Sequence, residues 1–275
     1  MLRGADGAVR ETFLANRSRG RIVCVARKIG DETRRARVAE DGCLRIRFPT
    51  ADGPALEAVI VNTAGGIAGG DHHALDIAVR DNASLVLTTA AAEKAYRSIA
   101  TEARIDVKLK VGAAARLCWL PQETILFDGG RLLRQFDVDL SSRATLTMAE
   151  MAVFGRSAMG ETVVQGSFVD RWRVKRDGRL LFAETLRLDG AVAEKLVERG
   201  IAAGGVAVAT VLHVPGDDAM AARVRARDFA SEVGISVWNG MAVARLCGRD
   251  SAQVRDDLVA LLMALETPLP RLWLN

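Results

Sequence analysis

The sequence contains few aromatic side chains and few histidines. Aromatic residues make up 5% of the 275 positions, and there are 3 histidines. Proteins that bind single-stranded nucleic acid place basic side chains next to aromatic ones on which the bases stack. The first fifty residues carry twelve basic and six acidic side chains, but their only aromatic residues are Phe13 and Phe48. We therefore expect no nucleic acid among the partners of this protein.

Cysteines are also few and widely separated. The four cysteines form no CxxC pair, so the sequence indicates neither a zinc knuckle nor a redox dithiol. We expect buried free thiols in a reducing cytosol. They are Cys24, Cys43, Cys118 and Cys247.

No apolar run approaches the 18 residues that a membrane helix needs, and the first twenty residues lack the apolar stretch of a secretory signal. These absences predict a cytoplasmic protein that neither spans nor binds a membrane. With 49% hydrophobic and 26% charged residues, the composition is that of a globular protein. A length of 275 residues is typical of one large domain or two modest ones.

The chain divides into three regions by pattern. A basic N-terminal segment occupies 1–20, a β-rich core is expected at 21–190, and an α/β portion packed on that core is expected at 191–275. The three regions form either one continuous domain or separate units. Alternating or continuous apolar residues predict strands in the core, and Asp177-Gly178 predicts a tight hairpin turn. The predicted strands lie at 85–89, 105–111, 136–140, 144–148, 168–176 and 179–188.

The C-terminal region mixes helices with strands. Apolar periodicity predicts helices at 191–199 and 217–233, and a third helix that begins after Asp250, which forms a capping box with Gln253. Strands are predicted at 205–214, 235–238 and 241–247, and no repeat of fixed period is visible. The expected fold is mainly β with a few helices: an extended multi-stranded β architecture plus a smaller C-terminal α/β portion.

A glycine-rich segment at 62–73 has the sequence NTAGGIAGGDHH. Its spacing matches neither a P-loop nor a dinucleotide fingerprint, so we expect a sharply bent connection that enters a sheet. Asp71, His72 and His73 offer donors for a transition metal. Neighbouring side chains on a strand point to opposite faces, so at most Asp71 and His73 could share a ligand. The alternatives are a weak metal contact and, as the plainer interpretation, a solvated turn.

Several further carboxylates lie in unusual segments. Glu123 and Asp128 occupy a hydrophobic run, Glu161 shares a loop with Arg156 that favours a local salt bridge, and Glu184 lies on the second strand of the hairpin. One functional hypothesis is a carboxylate- or metal-dependent hydrolase. Its acids would be Glu123, Asp128 and Glu161.

Six segments in this order resemble the urease accessory protein UreD family, called UreH in some organisms. The resemblance covers the chain from about residue 20 to the C-terminus and is densest at 62–190. The segments are NTAGGIAGGD, TTAAAEKAYRS, WLPQETILFDGG, GRSAMGE, DRWRVKRDGRLLFAE and PRLWLN.

This resemblance implies a predominantly β protein without catalytic activity of its own that assists nickel insertion into urease. Its implied partners are apo-urease, UreF and, through UreF, the GTPase UreG. No cofactor would be tightly bound, and nickel would be in transit, held reversibly by polar side chains. The implied route residues are Asp71, Glu123, Glu161 and Glu184, followed by His72, His73 and Asp128.

The C-terminal segment allows two interpretations. Leu272, Trp273 and Leu274 either tuck into the core or help dock UreF, because aromatic anchors are enriched at protein interfaces.

Overall fold

Two stacked β-sheets and a layer of helices make up the fold. The computed structural model describes residues 17–50, 53–99 and 101–274, so most of the basic segment predicted at 1–20 lies outside the described residues. The mainly β fold class predicted from the sequence is confirmed.

Seventeen strands occur within the described ranges. In chain order they are β1 (Arg19–Ile29), β2 (Glu32–Gly42), β3 (Leu44–Arg47), β4 (Leu56–Asn62), β5 (His72–Val79), β6 (Ser84–Thr89), β7 (Glu93–Ala95), β8 (Ala103–Val111), β9 (Arg116–Trp119), β10 (Thr124–Leu126), β11 (Arg131–Leu140), β12 (Thr145–Phe154), β13 (Gly166–Arg176), β14 (Arg179–Gly190), β15 (Ala207–Val214), β16 (Glu232–Trp238) and β17 (Met241–Gly248).

The chain alternates between the two sheets as it winds. The first sheet has the spatial order β14-β13-β11-β8-β5-β1-β2, and the second has the order β16-β17-β15-β12-β9-β6-β4-β3. In the second sheet β10 also pairs with β12, and β7 pairs with β10. Neighbours from β1 to β13 in the first sheet and from β4 to β12 in the second run parallel. Each pair of strands thus forms one rung that stacks on the rung before it.

The turns that join the sheets repeat, although the sequence does not. Asn82, Ala114 and Arg143 all have positive φ angles, and they lie about 30 residues apart, which is the spacing of a repeat architecture. Backbone hydrogen bonds tie successive turns together, as from the Asn82 N–H to the Ala113 carbonyl. The repeat is invisible in the sequence because any apolar residue can fill an inward position of a rung.

The predicted hairpin is confirmed. Strands β13 and β14 pair antiparallel around Asp177 and Gly178, whose φ angles are +49° and +76°, as a tight two-residue turn requires. The glycine-rich segment is the predicted bent connection into β5, with φ angles of +77° at Gly65 and +90° at Gly70.

Two hydrophobic cores lie on the two faces of the second sheet. One core lies between the two sheets, and the other lies between the second sheet and the helices. Strand β12 contributes to both cores, so nine of its ten residues are buried in succession. Among the cysteines, all free, Cys24 and Cys118 are buried as predicted, whereas Cys43 and Cys247 are partly exposed.

The α-helices of the described residues are α1 (Val192–Val197), α2 (Asp218–Arg225) and α3 (Ser251–Ala264). The Asp250 side chain caps α3, as predicted, by accepting hydrogen bonds from the N–H groups of Ala252 and Gln253. The predicted helix at 217–233 is wrong in its second half, because Val233 pairs with Leu246 in β16 and β17. No helix in the described part of the chain is long and apolar enough to cross a membrane.

Candidate functional site

A cavity of about 300 Å³ lies between the two sheets. We call it the inter-sheet cavity. Its lining begins at exposed loop residues, among them Gly65 and Ala91, and ends at the buried side chains of Arg134 and Glu150. The cavity therefore connects the surface loops after β4 and β6 with the middle of the sheet stack.

A buried ionic cluster closes the inner end of the cavity. The Arg134 guanidinium, on β11, donates to both carboxylate oxygens of Asp170 on β13, at 3.2 and 2.7 Å. It also forms an ion pair with Glu150 of β12, at 2.5 Å, and donates to the Thr124 hydroxyl. All three charged side chains are at most 8% exposed. The cluster thus joins two strands of one sheet to a strand of the other.

This cluster holds one positive side chain against two carboxylates. Burial raises the pKa of Glu150, while the Arg134 guanidinium and the indole N–H of Trp119 oppose that rise. The Trp119 Nε1 donates to Glu150 Oε1 at 2.7 Å. If both carboxylates are ionised, a net negative charge is left in a poorly solvated place, which favours uptake of a proton or a cation.

Glu93 stands near the outer end of the cavity. The Asn62 side-chain amide donates to both oxygens of its carboxylate, at 3.0 and 3.1 Å, and to the Gly66 carbonyl. Burial raises the pKa of Glu93 to about 7 despite these hydrogen bonds, and the nearby charge of Asp71 adds to the rise. Glu93 can therefore exchange a proton near neutral pH.

The two adjacent histidines point to opposite faces of β5, as strand geometry predicts. His72 is exposed, and its Nε2 lies 2.8 Å from Asp106 Oδ2. His73 is 2% exposed and lines the inter-sheet cavity, so the interpretation as a solvated turn is wrong for this residue. Burial lowers the pKa of His73 to about 4, which leaves its imidazole neutral at physiological pH.

The carboxylates predicted from the sequence each have a separate partner. Asp71 accepts hydrogen bonds from the backbone N–H groups of Ser18 and Ala68, both at 2.8 Å, and so shapes the glycine-rich connection. The remaining ones form ion pairs: Glu123 with Arg255, Glu161 with Arg156, Glu184 with Arg245, and Asp128 with Arg97. Across the residues that the structure describes, no group of three or more His, Cys, Asp or Glu side chains could hold a metal ion.

Two of the proposed hydrolase acids, Glu161 and Asp128, have lowered pKa values. A hydrogen bond from Arg156 lowers the pKa of Glu161, and a hydrogen bond from the Gln165 backbone lowers that of Asp128. A general acid needs a raised pKa at neutral pH. Glu161 instead forms the local salt bridge with Arg156 that the sequence predicts.

The C-terminal segment is partly core and partly surface. Trp273 is 5% exposed, and its indole N–H donates to the Leu120 carbonyl at 3.0 Å and to Thr88 Oγ1 at 3.2 Å. Leu272 is partly exposed, and Leu274 is 62% exposed. Of the two interpretations, the core applies to Trp273, and only Leu272 and Leu274 present surface to a partner.

Sequence reasoning missed the four charged residues of the inter-sheet site, Glu93, Arg134, Glu150 and Asp170. Glu150 did carry a signal, because it is the one charged residue in the strand sequence TLTMAEMAVF. A charge that interrupts a continuous apolar strand is placed in the core and needs a partner there. The sequence does not identify the partner, because Arg134 lies on the opposite sheet and meets Glu150 only in the folded protein.

Comparisons with known proteins point to one family. The family model for UreD urease accessory proteins matches residues 18–274. A urease accessory protein UreD of Rhodopseudomonas palustris strain BisA53 is 53% identical over 96% of this chain and 93% of its own length. Another UreD, from Bradyrhizobium diazoefficiens, is 52% identical over 96% of each chain. Because these matches extend over nearly its full length, the chain belongs to the urease accessory protein UreD family.

Proposed function

We propose that this chain binds apo-urease and, together with UreF and the GTPase UreG, supports nickel delivery into the urease active site in the cytoplasm. Its family places it in urease maturation. In this proposal it has no catalytic activity of its own, and GTP chemistry belongs to UreG. The lack of a P-loop in the sequence agrees with that division.

The observation that carries the proposal is the excess of buried carboxylates at the inner end of the cavity. Arg134 balances one of the two negative charges of Glu150 and Asp170, so the second calls for a proton or a cation. A divalent cation that enters the cavity would displace the proton from Glu150. Binding would be reversible, because Arg134 holds both oxygens of Asp170 and leaves Glu150 as the one carboxylate available to the cation.

Glu93 provides a second carboxylate on the route, nearer the surface than Glu150. It lies near the exposed loops, and its raised pKa lets it trade a proton for a metal ion near neutral pH. Two carboxylates in one cavity, one near the surface and one deep, support passage of nickel between the sheets. Neither provides enough ligands to trap the ion.

The test is co-expression of the host urease subunits and the other accessory proteins, with and without this chain. We expect nickel-loaded, active urease only when the chain is present. Glu93→Gln and Glu150→Gln should each lower urease nickel content several-fold, while Glu198→Gln, which changes an exposed carboxylate outside the cavity, should not. Equal nickel and activity without the chain would contradict the maturation role.

The route residues predicted from the sequence are tested in the same assay. Asp71, Glu123, Glu161 and Glu184 are replaced together by Ala, and folding is checked by circular dichroism. Nickel loading that stays intact in the folded variant would remove these four residues from the route and leave Glu93 and Glu150. Capture of UreF by the Leu274→Ala variant tests the proposed docking role of the C-terminus.

A further inference from the structure

A thiol contacts an imidazole that lines the inter-sheet cavity. Cys43 Sγ lies 3.3 Å from His73 Nε2. His73 is buried and lines the cavity, whereas Cys43 is partly exposed. The pair therefore lies between the protein surface and the cavity. It is separate from the carboxylates proposed above for the nickel route.

The backbone around Cys43 holds the thiol in place. Its N–H donates to the Arg19 carbonyl at 2.9 Å, and its carbonyl accepts from the Thr63 N–H at 3.0 Å. The Ser18 hydroxyl donates to Cys43 Sγ at 2.9 Å, which fixes the position of the sulfur. The preceding Gly42 has a φ of +62°, and a Cβ there would lie 1.8 Å from the Arg19 carbonyl oxygen.

A second glycine provides the space for the thiol. Gly20 on β1 is the register partner of His73 on β5. A Cβ on Gly20 would lie 2.9 Å from Cys43 Sγ and 2.4 Å from Leu44 Cγ. The absence of a side chain at Gly20 thus leaves room for the sulfur next to the imidazole.

The separation of the two atoms fits a shared metal ion. A transition metal binds sulfur at about 2.3 Å and imidazole nitrogen at about 2.0–2.1 Å. When the sulfur–metal–nitrogen angle lies between its square-planar and its tetrahedral value, the sulfur and the nitrogen are about 3.1–3.6 Å apart. The observed 3.3 Å falls within that interval.

We propose that Cys43 and His73 form a two-ligand binding site for a thiophilic divalent cation, with Ni²⁺ as the occupant and water in the remaining positions. On binding, the Cys43 sulfur–proton bond is exchanged for a sulfur–nickel bond, and the proton leaves to solvent. The site's role rests on the proposed function: it is a reversible stop for nickel beside the cavity. The binding itself does not depend on that role.

The experiment is a titration of the reduced, purified full chain with NiCl₂ alone, without oxygen. Thiolate-to-nickel charge-transfer absorption in the near ultraviolet reports the bond to sulfur. We expect a band that saturates at one Ni²⁺ per chain, is lost in Cys43→Ser and weakens at least about tenfold in affinity in His73→Gln. Cys247→Ser is the matched control, because that free thiol is also partly exposed, and it should keep the band.

No band in the unmodified chain, or a band that survives Cys43→Ser, overturns the site. An unchanged affinity in His73→Gln overturns the pairing. X-ray absorption at the nickel edge of the unmodified chain needs no variant; one sulfur with imidazole nitrogen supports the site, and nitrogen or oxygen alone overturns it. Normal urease activation by Cys43→Ser would overturn only its role on the route. Failure of the proposed function would appear instead as activation without the chain.

Discussion

Arg134 and Glu150 face each other across the two sheets, with Nη1 and Oε2 2.5 Å apart. Arg134 lies on β11 in the first sheet, and Glu150 lies on β12 in the second. Two aromatic rings flank the Arg134 guanidinium, which lies 5.5 Å from the centre of the Phe136 ring and 5.8 Å from that of Phe168. Arg134 therefore both neutralises buried carboxylates and packs against the aromatic core, and its substitution affects both contributions to stability.

Arg134→Met should destabilise the fold strongly, because it leaves the carboxylates of Glu150 and Asp170 buried without a countercharge. Removal of one partner of a buried pair costs about 3–5 kcal/mol. Arg21→Met is the control, since its ion pair with Asp76 is solvent-exposed and should cost about 0–1 kcal/mol. Urea unfolding measures both values, and equal losses in the two variants would contradict a buried charge cluster.

Glu93→Gln should change how stability depends on pH. The folded-state pKa of Glu93 is raised to about 7, so the folded protein holds a proton that the unfolded chain releases at lower pH. The unmodified chain therefore loses stability as pH rises from about 4.5 to 7, by about 3 kcal/mol in total. Gln cannot ionise, so the variant should gain relative stability over that window. Chemical denaturation at pH 5 and pH 8 measures it, and a constant difference would refute the shift.

His213→Gln should show the opposite sign. His213 is buried, with Nδ1 2.9 Å from Thr147 Oγ1, and burial lowers its pKa to about 4. Below pH 6.5 the unfolded chain takes up a proton that the folded protein does not, so stability falls as pH drops from about 6.5 to 4. The variant should lack this loss, which amounts to about 3 kcal/mol. Chemical denaturation at about pH 4 and pH 7 detects it, and a slope that matches the unmodified chain would contradict the buried neutral ring.

Trp273→Ala should destabilise the chain by about 3–5 kcal/mol, the usual cost of removing a buried Trp. The variant loses the two hydrogen bonds of the indole and the Arg255 guanidinium that lies 4.9 Å above its ring. Leu274→Ala changes an exposed side chain and should stay within about 0.5 kcal/mol. Thermal unfolding of the two variants separates core from surface at the C-terminus. Equal stability of both would return Trp273 to the docking interpretation.

The sequence was informative wherever local chemistry decides the structure. Asp177-Gly178 predicted its hairpin because few residue pairs allow two positive φ angles, and Asp250 predicted the start of α3 through its capping hydrogen bonds. At 217–233 the apolar spacing suited a helix throughout, but pairing with β17 draws Val233 into a strand. There, tertiary contacts outweigh local periodicity.

The candidate site was harder to predict because its parts are distant in sequence. Asn62 and Glu93 meet across 31 positions, and Cys43 and His73 across 30. Strand alternation correctly placed His72 and His73 on opposite faces, yet it could not say which face was the core. That choice depends on the other sheet, which a single strand does not reveal.

The stacked rungs also govern the dimensions of the cavity. Each added pair of strands lengthens both sheets by about 4.8 Å, the distance between neighbouring strands. A passage between the sheets can therefore change length only in such increments, and its width is set by the side chains within a rung. Relatives that differ by one whole rung would keep the same cross-section and differ in the length of the cavity.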